Sequence, residues 1–260
     1  MKKFSRQKWI LGMLATIMLA GSFSWAASLE EGSRGTKINA RILSVRSQIV
    51  AKDYFYIQQK LETTSAKRDL KKNILLMSEA LRRLQAAVKD PEKQKVVDFM
   101  MMSLDELKTT LKKDFNQENG GLVMDYTDAI LEGAQSFSAF PGIDNVKDMF
   151  TAVALMKFNL IRASKYYIAF RAGYNDPLTV EEAKKAVNAF STLLAKVQNH
   201  NYPSHLANGP VKKLSKYWPA SKSFYLGLEK NALPTIVFIS TKHMLSAINQ
   251  LIAFHKKELK

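Results

Sequence analysis

Residues 70–88, LKKNILLMSEALRRLQAAV, carry the clearest structural pattern in the sequence. Large apolar side chains recur there at alternating spacings of four and three residues, namely Leu70, Ile74, Met77, Leu81, Leu84 and Val88. This spacing places them on one face of an α-helix, as in an antiparallel bundle. The stretch therefore predicts an amphipathic helix that buries one stripe.

The same helical period appears on both sides of this stretch. It runs through residues 38–61 before it and through 91–111 and 123–137 after it, with breaks at 116–121 and at Pro141-Gly142. No stretch shows sustained two-residue alternation, so we predict no strands. Together these segments predict a first module of four helices.

The pattern then restarts and predicts a second set of four helices. The predicted elements are a helix at about 145–172, a helix N-capped by Thr179 in a capping box with Glu182, a loop at 199–210, and helices at 211–230 and 233–257. The first module is predicted at 36–140 and the second at 145–258.

The two sets align almost without gaps, in polar as well as apolar positions. At an offset of 113, Lys52 and Tyr54 align with Lys165 and Tyr167; at an offset of 114, Thr127, Leu131 and Ala139-Phe140 align with Thr241, Leu245 and Ala253-Phe254. Helical periodicity alone would match the apolar positions and not the polar ones. We predict a tandem duplication and an all-α fold of two tandem four-helix antiparallel bundle modules.

The N-terminus has the pattern of a secretory signal peptide. Four basic residues precede a run of thirteen mostly apolar residues, Trp9 to Gly21, and Ser24 and Ala26 stand at the −3 and −1 positions of a cleavage site. The apolar run is short for a ~30 Å hydrocarbon core, although an uncleaved N-terminal anchor is the alternative. We predict a signal peptide at residues 1–26, cleavage after about Ala26 and a periplasmic protein. No later run reaches eighteen consecutive apolar residues.

Composition excludes several classes of function. The chain has no cysteine, so disulfides, a thiol nucleophile and a thiolate metal site are excluded. The formal charge of +16 becomes +12 once the predicted signal peptide, with its four basic residues and no acidic ones, is removed. Such an excess attracts anions. Nucleic acid is not an expected partner of an exported chain.

No motif for common hydrolase chemistry or for phosphate binding is present, so we expect no enzymatic activity and no cofactor. His200 and His205 lie in one predicted loop without nearby carboxylates, which favours a surface loop over a metal site. Met100, Met101 and Met102 spread over about 200° of a helix and cannot converge on one ion, which favours core packing. We therefore predict no metal site.

Short motifs in the first helix of each repeat are similar to those of a known family. Ile38-Asn39-Ala40, the stretch 47–54 (SQIVAKDY) and the stretch 162–167 (RASKYY) resemble the first helix of the PilJ/NarX-like sensory domain. This domain is the extracytoplasmic part of type IV pilus chemotaxis transducers and of nitrate/nitrite sensor kinases. The resemblance implies four-helix bundles, often dimeric, in which an arginine of the first helix binds the anion across the dimer interface.

The position of that arginine depends on the register of the alignment. A register set by Ser47-Gln48 places the two family arginines at Ser44 and Ile49, which removes the anion ligand. A register three residues earlier places them at Arg41 and Arg46. A guanidinium suits a planar oxyanion because its forked donors match the oxygens and it stays charged.

The second repeat offers Lys157 and Arg162 as the corresponding ligands. If the two first helices lie side by side as an intramolecular pseudo-dimer, Arg41 and Arg46 would face these two residues; a homodimer is the other arrangement. The alternative is that all four side chains extend their charges into water.

Lys52 and Lys165 occupy equivalent places beside the apolar stripe. They are secondary candidates for ligand contacts, and a structural pair with an acidic neighbour is the alternative.

The resemblance implies an extracytoplasmic, soluble ligand-binding or sensory protein for a small anion such as nitrate or nitrite. Because such a chain carries no signalling domain of its own, it would act through a membrane signalling partner. The alternative is a structural or interaction scaffold that has lost the ligand site. A scaffold is expected to present an exposed apolar patch instead of arginines held in an interface.

Overall fold

The structure of the protein, a computed structural model, describes residues 34–137, 139–202, 205–230 and 233–258. The predicted signal peptide and its cleavage site lie outside the described residues. The described part of the chain contains eight α-helices, one short 3₁₀ helix and no strand, which confirms the all-α prediction. The elements are α1 Arg34–Gln58, α2 Thr63–Ala87, α3 Pro91–Thr110, α4 Gln117–Gln135, the 3₁₀ helix Ile143–Asn145, α5 Met149–Arg171, α6 Pro177–Gln198, α7 His205–Leu226 and α8 Pro234–Glu258.

The helices pack in two closed sets of four. Consecutive helices are neighbours within α1–α4 and within α5–α8, and each set closes because α1 also packs on α4 and α5 also packs on α8. This pattern is consistent with helical bundles. The two sets meet where α1 packs on α5, and the chain from Arg34 onward forms one compact unit.

Helix α2 has the predicted amphipathic stripe. Met77, Leu81 and Leu84 are buried, whereas Leu70 and Ile74 are half-buried. Burial of a side chain of this size contributes about 1.5–3 kcal/mol, so this stripe is a main reason that α2 stays on α1.

Helix α5 is buried on almost every side because it packs on α1, α6 and α8 at once. A helix that is apolar all round is typical of such a central position. The polar and charged side chains of α5 therefore lie at contacts between helices rather than in water, and this brings them into the candidate site.

Two helix starts differ from the predictions. Helix α6 begins at Pro177, and its N-cap is Asp176 rather than Thr179: the Thr179 N–H donates to Asp176 Oδ1 at 3.0 Å. An aspartate before a first-turn proline satisfies the helix end three residues earlier than the capping box would. Helix α5 begins at Met149 rather than near residue 145.

The predicted loop at 199–210 is wrong in its second half. Helix α7 already begins at His205 and contains Pro210. Ala207, Pro210 and Leu214 are all buried at spacings of three and four residues. Burial of this face outweighs the backbone hydrogen bond lost at the proline, which composition alone did not show.

Among the described residues, one helical segment is long and apolar enough to cross a membrane, namely Pro234–Lys257 within α8. Core helices of soluble proteins meet the same criterion. Val237, Met244 and Ile248 of α8 are buried, whereas Ile236 and Ile239 are about half exposed.

Candidate functional site

Helices α1 and α5 pack side by side. Gln48 of α1 contacts Lys165, and further along α1 the Tyr56 hydroxyl lies 2.6 Å from the Ser164 hydroxyl. Beyond the end of α5, the ring of Tyr174 packs 5.0 Å from that of Phe55. We call this contact between the two helices the α1–α5 seam.

Arg46 and Lys157 hold two positive charges at this seam. Arg46 Nη1 donates to Asn73 Oδ1 at 2.8 Å, and Lys157 Nζ donates to Asn249 Oδ1 at 2.8 Å. Burial lowers the pKa of Lys157, and the nearby charge of Arg46 lowers it further. Burial also lowers the pKa of Arg46, an effect that Asp69 opposes. Each of these half-buried cations is thus held by a neutral amide oxygen of its own, and the charge of Arg46 acts on Lys157.

The other two predicted ligands are engaged elsewhere. Arg41 Nε donates to the Ala139 carbonyl at 2.6 Å, and its guanidinium lies 5.6 Å from the Phe140 ring centroid. Arg162 forms an ion pair with Glu182 in which both side chains are mostly buried. Of the four predicted basic residues, the structure therefore brings Arg46 and Lys157 together, and it gives Arg41 and Arg162 partners of their own.

Lys165 is fully buried and its charge is enclosed by protein groups. Its Nζ lies 2.5 Å from Asp128 Oδ1 of α4 and donates to Gln48 Oε1 of α1 at 3.0 Å. It also lies 4.4 Å from the centroid of the Tyr166 ring. A buried lysine needs such neutralisation because an unpaired ammonium is very costly to remove from water. We call this group the Lys165 cluster.

Lys52, the equivalent residue of the first repeat, has a different environment. Its Nζ lies 2.7 Å from Asp53 Oδ1 and 4.8 Å from the centroid of the Tyr56 ring. Asp53 is itself buried, and its Oδ2 has no hydrogen-bond partner among the described residues. Burial raises the pKa of Asp53 although the ammonium of Lys52 opposes this shift.

A groove of ≈ 630 Å³ opens beside Lys52, between α1 and α2 on one side and α8 on the other. The rings of Tyr56 and Phe238 meet edge to face in its wall, with centroids 5.2 Å apart. Its charged lining residues are Lys52, Arg68, Lys242, Asp53, Glu62 and Asp69. Asn249, which holds Lys157, also lines the groove and connects it to the cations of the seam.

The sequence analysis did not single out Asp53, Lys242 or the groove. One signal was available: at the offset of 114 that aligns Thr127 with Thr241, the acid Asp128 falls on the base Lys242. A reversal of charge between equivalent positions of a repeat marks the place where the two copies differ in chemistry.

No protein-family model matches this chain, and no curated protein or solved structure matches it. The similarity to the PilJ/NarX-like domain therefore stays a prediction that depends on the first-helix motifs. In the described residues, no group of three or more His, Cys, Asp or Glu side chains is arranged to hold a metal ion. The seam offers ammonium, guanidinium and amide groups, which suit binding of an anion, whereas the groove combines three basic and three acidic side chains with two aromatic rings.

Proposed function

We propose that the protein binds a small anion at the α1–α5 seam, between Arg46 and Lys157, and works as an extracytoplasmic ligand-binding or sensory protein. The observation that carries this proposal is the pair of half-buried cations whose direct acceptors, Asn73 and Asn249, are neutral amides. An anion between them would offset both their burial and their mutual repulsion. Like charges with a lowered pKa are typical of functional sites.

The chemistry of the pair favours a small oxyanion. The guanidinium of Arg46 offers planar, forked donors, and the ammonium of Lys157 adds a compact positive charge. Nitrate or nitrite is the ligand class implied by the resemblance of the first helices. We propose binding without catalysis, since neither repeat presents a recognisable catalytic motif.

A ligand at this seam would contact both repeats at once. Arg46 belongs to α1 and Lys157 to α5, so anion binding would hold the two first helices in one relative position. In this proposal the tandem chain acts as an intramolecular pseudo-dimer, exported to the periplasm. It would pass the change in helix position to a membrane signalling partner.

An interaction scaffold is the second candidate, because four large apolar side chains that are close in sequence are exposed. Leu226, Leu233, Ile236 and Ile239, at the end of α7 and the start of α8, are 41–49% exposed. Exposed apolar patches often mark contacts with partner proteins. A scaffold that uses this patch would not need the cations at the seam.

The test is thermal unfolding of the purified protein with nitrate, nitrite, sulfate or chloride at constant ionic strength. A ligand that binds only the folded state, at 100 times its Kd, adds about 2.7 kcal/mol to the free energy of unfolding. We expect nitrate or nitrite to raise the midpoint, and Arg46→Ala or Lys157→Ala to abolish the rise. Arg82→Ala, which removes the same charge at an exposed position of α2, should leave the rise unchanged.

The scaffold becomes the better account under either of two outcomes. One is that all anions shift the midpoint equally, as general screening would. The other is that Arg46→Ala and Arg82→Ala respond alike to nitrate.

A further inference from the structure

The internal repeat creates two equivalent places, each between the first helix of one set and the last helix of the other. Lys165 of α5 faces α4 at one place, and Lys52 of α1 faces α8 at the other. Thr127 of α4 and Thr241 of α8, which the sequence aligns, make the same local contact: each hydroxyl donates to the carbonyl four residues earlier, at 2.8 and 2.6 Å. The two places can therefore be compared residue by residue.

The first place is closed by protein groups. Asp128 and Gln48 supply the oxygens that neutralise Lys165. The residues at the equivalent positions of the second place are Lys242 and Ile161. The second place therefore lacks both oxygens and has a second cation where the first has a carboxylate.

The second place is also the open one, since Lys52 and Lys242 both line the groove. No carboxylate of the described residues lies within ion-pair distance of Lys242; its Nζ lies 5.9 Å from the centroid of the Phe238 ring. Asp53 accepts from Lys52 through one oxygen, and an ammonium has three donors. Lys52 thus has donors left for a further acceptor.

We propose that the groove binds a small organic carboxylate. The carboxylate of the ligand would take the place beside Lys52 and Lys242 that the Asp128 side chain takes beside Lys165. Its carbon skeleton would lie along the Tyr56 and Phe238 rings. The volume of ≈ 630 Å³ is within the range typical of small-molecule sites and far larger than an inorganic oxyanion needs.

This site is distinct from the proposed anion site between Arg46 and Lys157, and neither proposal depends on the other. The residues that line the two sites explain why an inorganic anion is proposed for the seam and an organic carboxylate for the groove. The seam offers amides and two cations, whereas the groove adds two aromatic rings and the apolar side chains of Ala66, Leu245 and Ala253. A ligand with an apolar body gains from burial only in the groove.

The experiment is calorimetric titration of the purified protein with benzoate and isovalerate, each compared with its neutral amide, benzamide or isovaleramide. The amides keep the shape of the ligand and remove its charge. We expect at least one carboxylate to bind about tenfold or more tightly than its amide, because the amide forfeits two charge-assisted hydrogen bonds. If both carboxylates bind no better than their amides, the proposal is wrong.

Lys242→Glu is the decisive variant, since it places on α8 the acid that α4 carries in the other repeat. We expect it to weaken carboxylate binding about tenfold or more by supplying an internal competitor and repelling the ligand. Lys212→Glu, the same charge reversal at an exposed position of α7, should bind as the unchanged protein does. Helix content by circular dichroism confirms that each variant is folded.

Lys242→Gln separates loss of the cation from gain of the acid. It should weaken binding by an intermediate factor, about fivefold, as expected for one exposed charge. Arg46→Ala should leave carboxylate binding unchanged while abolishing the nitrate effect, so failure at one site is distinguishable from failure at the other. Unchanged binding by Lys242→Glu would overturn the proposal.

Discussion

The Lys165 cluster and the groove beside Lys52 are two versions of one structural place. In the first, a fully buried ammonium is neutralised by a carboxylate from α4 and an amide from α1. In the second, the equivalent ammonium keeps 14% of its side chain exposed, its acid comes from the adjacent residue Asp53, and α8 contributes another lysine. If the predicted duplication is right, a few polar substitutions separate a structural contact in one repeat from an open groove in the other.

The largest expected effect comes from removing the acid of the Lys165 cluster. Asp128→Ala leaves the charge of Lys165 buried with only the Gln48 amide to accept from it. Loss of one partner from a buried ion pair costs about 3–5 kcal/mol, and we expect a value near 3 because Asp128 is 39% exposed. Urea unfolding measures the change in the free energy of unfolding.

Lys165→Met is the matched control for this prediction. It removes the buried charge, keeps a side chain of similar length and leaves Asp128 able to reach water. We expect it to cost less than Asp128→Ala, since burying an apolar group is not penalised. If Lys165→Met is the more destabilising of the two, the cluster is held by attraction between its charges and not by the need to neutralise Lys165.

This contrast also separates what the sequence predicts from what it does not. The stripe that includes Met77, Leu81 and Leu84 was readable because helical burial follows a fixed period. The equivalence of Lys52 and Lys165 was readable from the repeat. The different environments of these two lysines were not readable. The carboxylate that neutralises Lys165 comes from α4, which is distant in the sequence and adjacent in space.

The candidate ligands show the same limit. The sequence predicts basic residues on the first helix of each repeat, and the structure places Arg46 near Lys157. The sequence does not predict that Arg162 pairs with Glu182, because the spacing of Thr179 and Glu182 indicates a capping box instead. One wrong local assignment at the start of α6 thus concealed the partner of a predicted ligand.

A second, smaller effect is expected at the contact that joins α4 to the end of α5. The Tyr174 hydroxyl donates to the Gln117 carbonyl at 2.8 Å, and a Cβ on Gly120 would lie 1.9 Å from that hydroxyl oxygen and 2.5 Å from Cζ. Gly120→Ala must therefore displace the Tyr174 ring, which packs on Phe55. We expect a loss of about 1–2 kcal/mol, the cost of overpacking less the gain in helix propensity.

Gly121→Ala is a control from the neighbouring position. No atom lies within 4 Å of the Cβ that it would add, so the substitution should be neutral or stabilise the protein by up to about 1 kcal/mol through helix propensity alone. Thermal unfolding of the two variants gives the comparison. Equal midpoints would show that Tyr174 does not fix the position of α4 against the second set of helices.

The smallest expected effect is a dependence of stability on pH that comes from Asp53, beside the open groove. Burial raises the pKa of Asp53, with the carboxylate of Asp69 adding to the shift and the ammonium of Lys52 opposing it. An unfolded aspartate loses its proton near pH 4. Above that pH the unfolded state binds fewer protons than the folded state, so the contribution of Asp53 to stability falls as pH rises through its folded pKa and then stays constant.

Asp53→Asn removes this titration while keeping the shape of the side chain. Its stability relative to the unchanged protein should therefore increase as pH rises from about 4, because the net rise in the pKa of Asp53 already includes the attraction of Lys52 for the ionised carboxylate. Asp98→Asn, at an exposed position of α3, removes a carboxylate that water can solvate and should change the pH profile less. Urea unfolding across pH 3–8 gives both curves.

If the two variants follow the same profile, ionisation of Asp53 does not lower the free energy of unfolding, and the buried Oδ2 is solvated by a group such as water. If they diverge as expected, the place beside Lys52 holds a carboxylate whose charge the protein neutralises only in part, unlike the enclosed charge of Lys165.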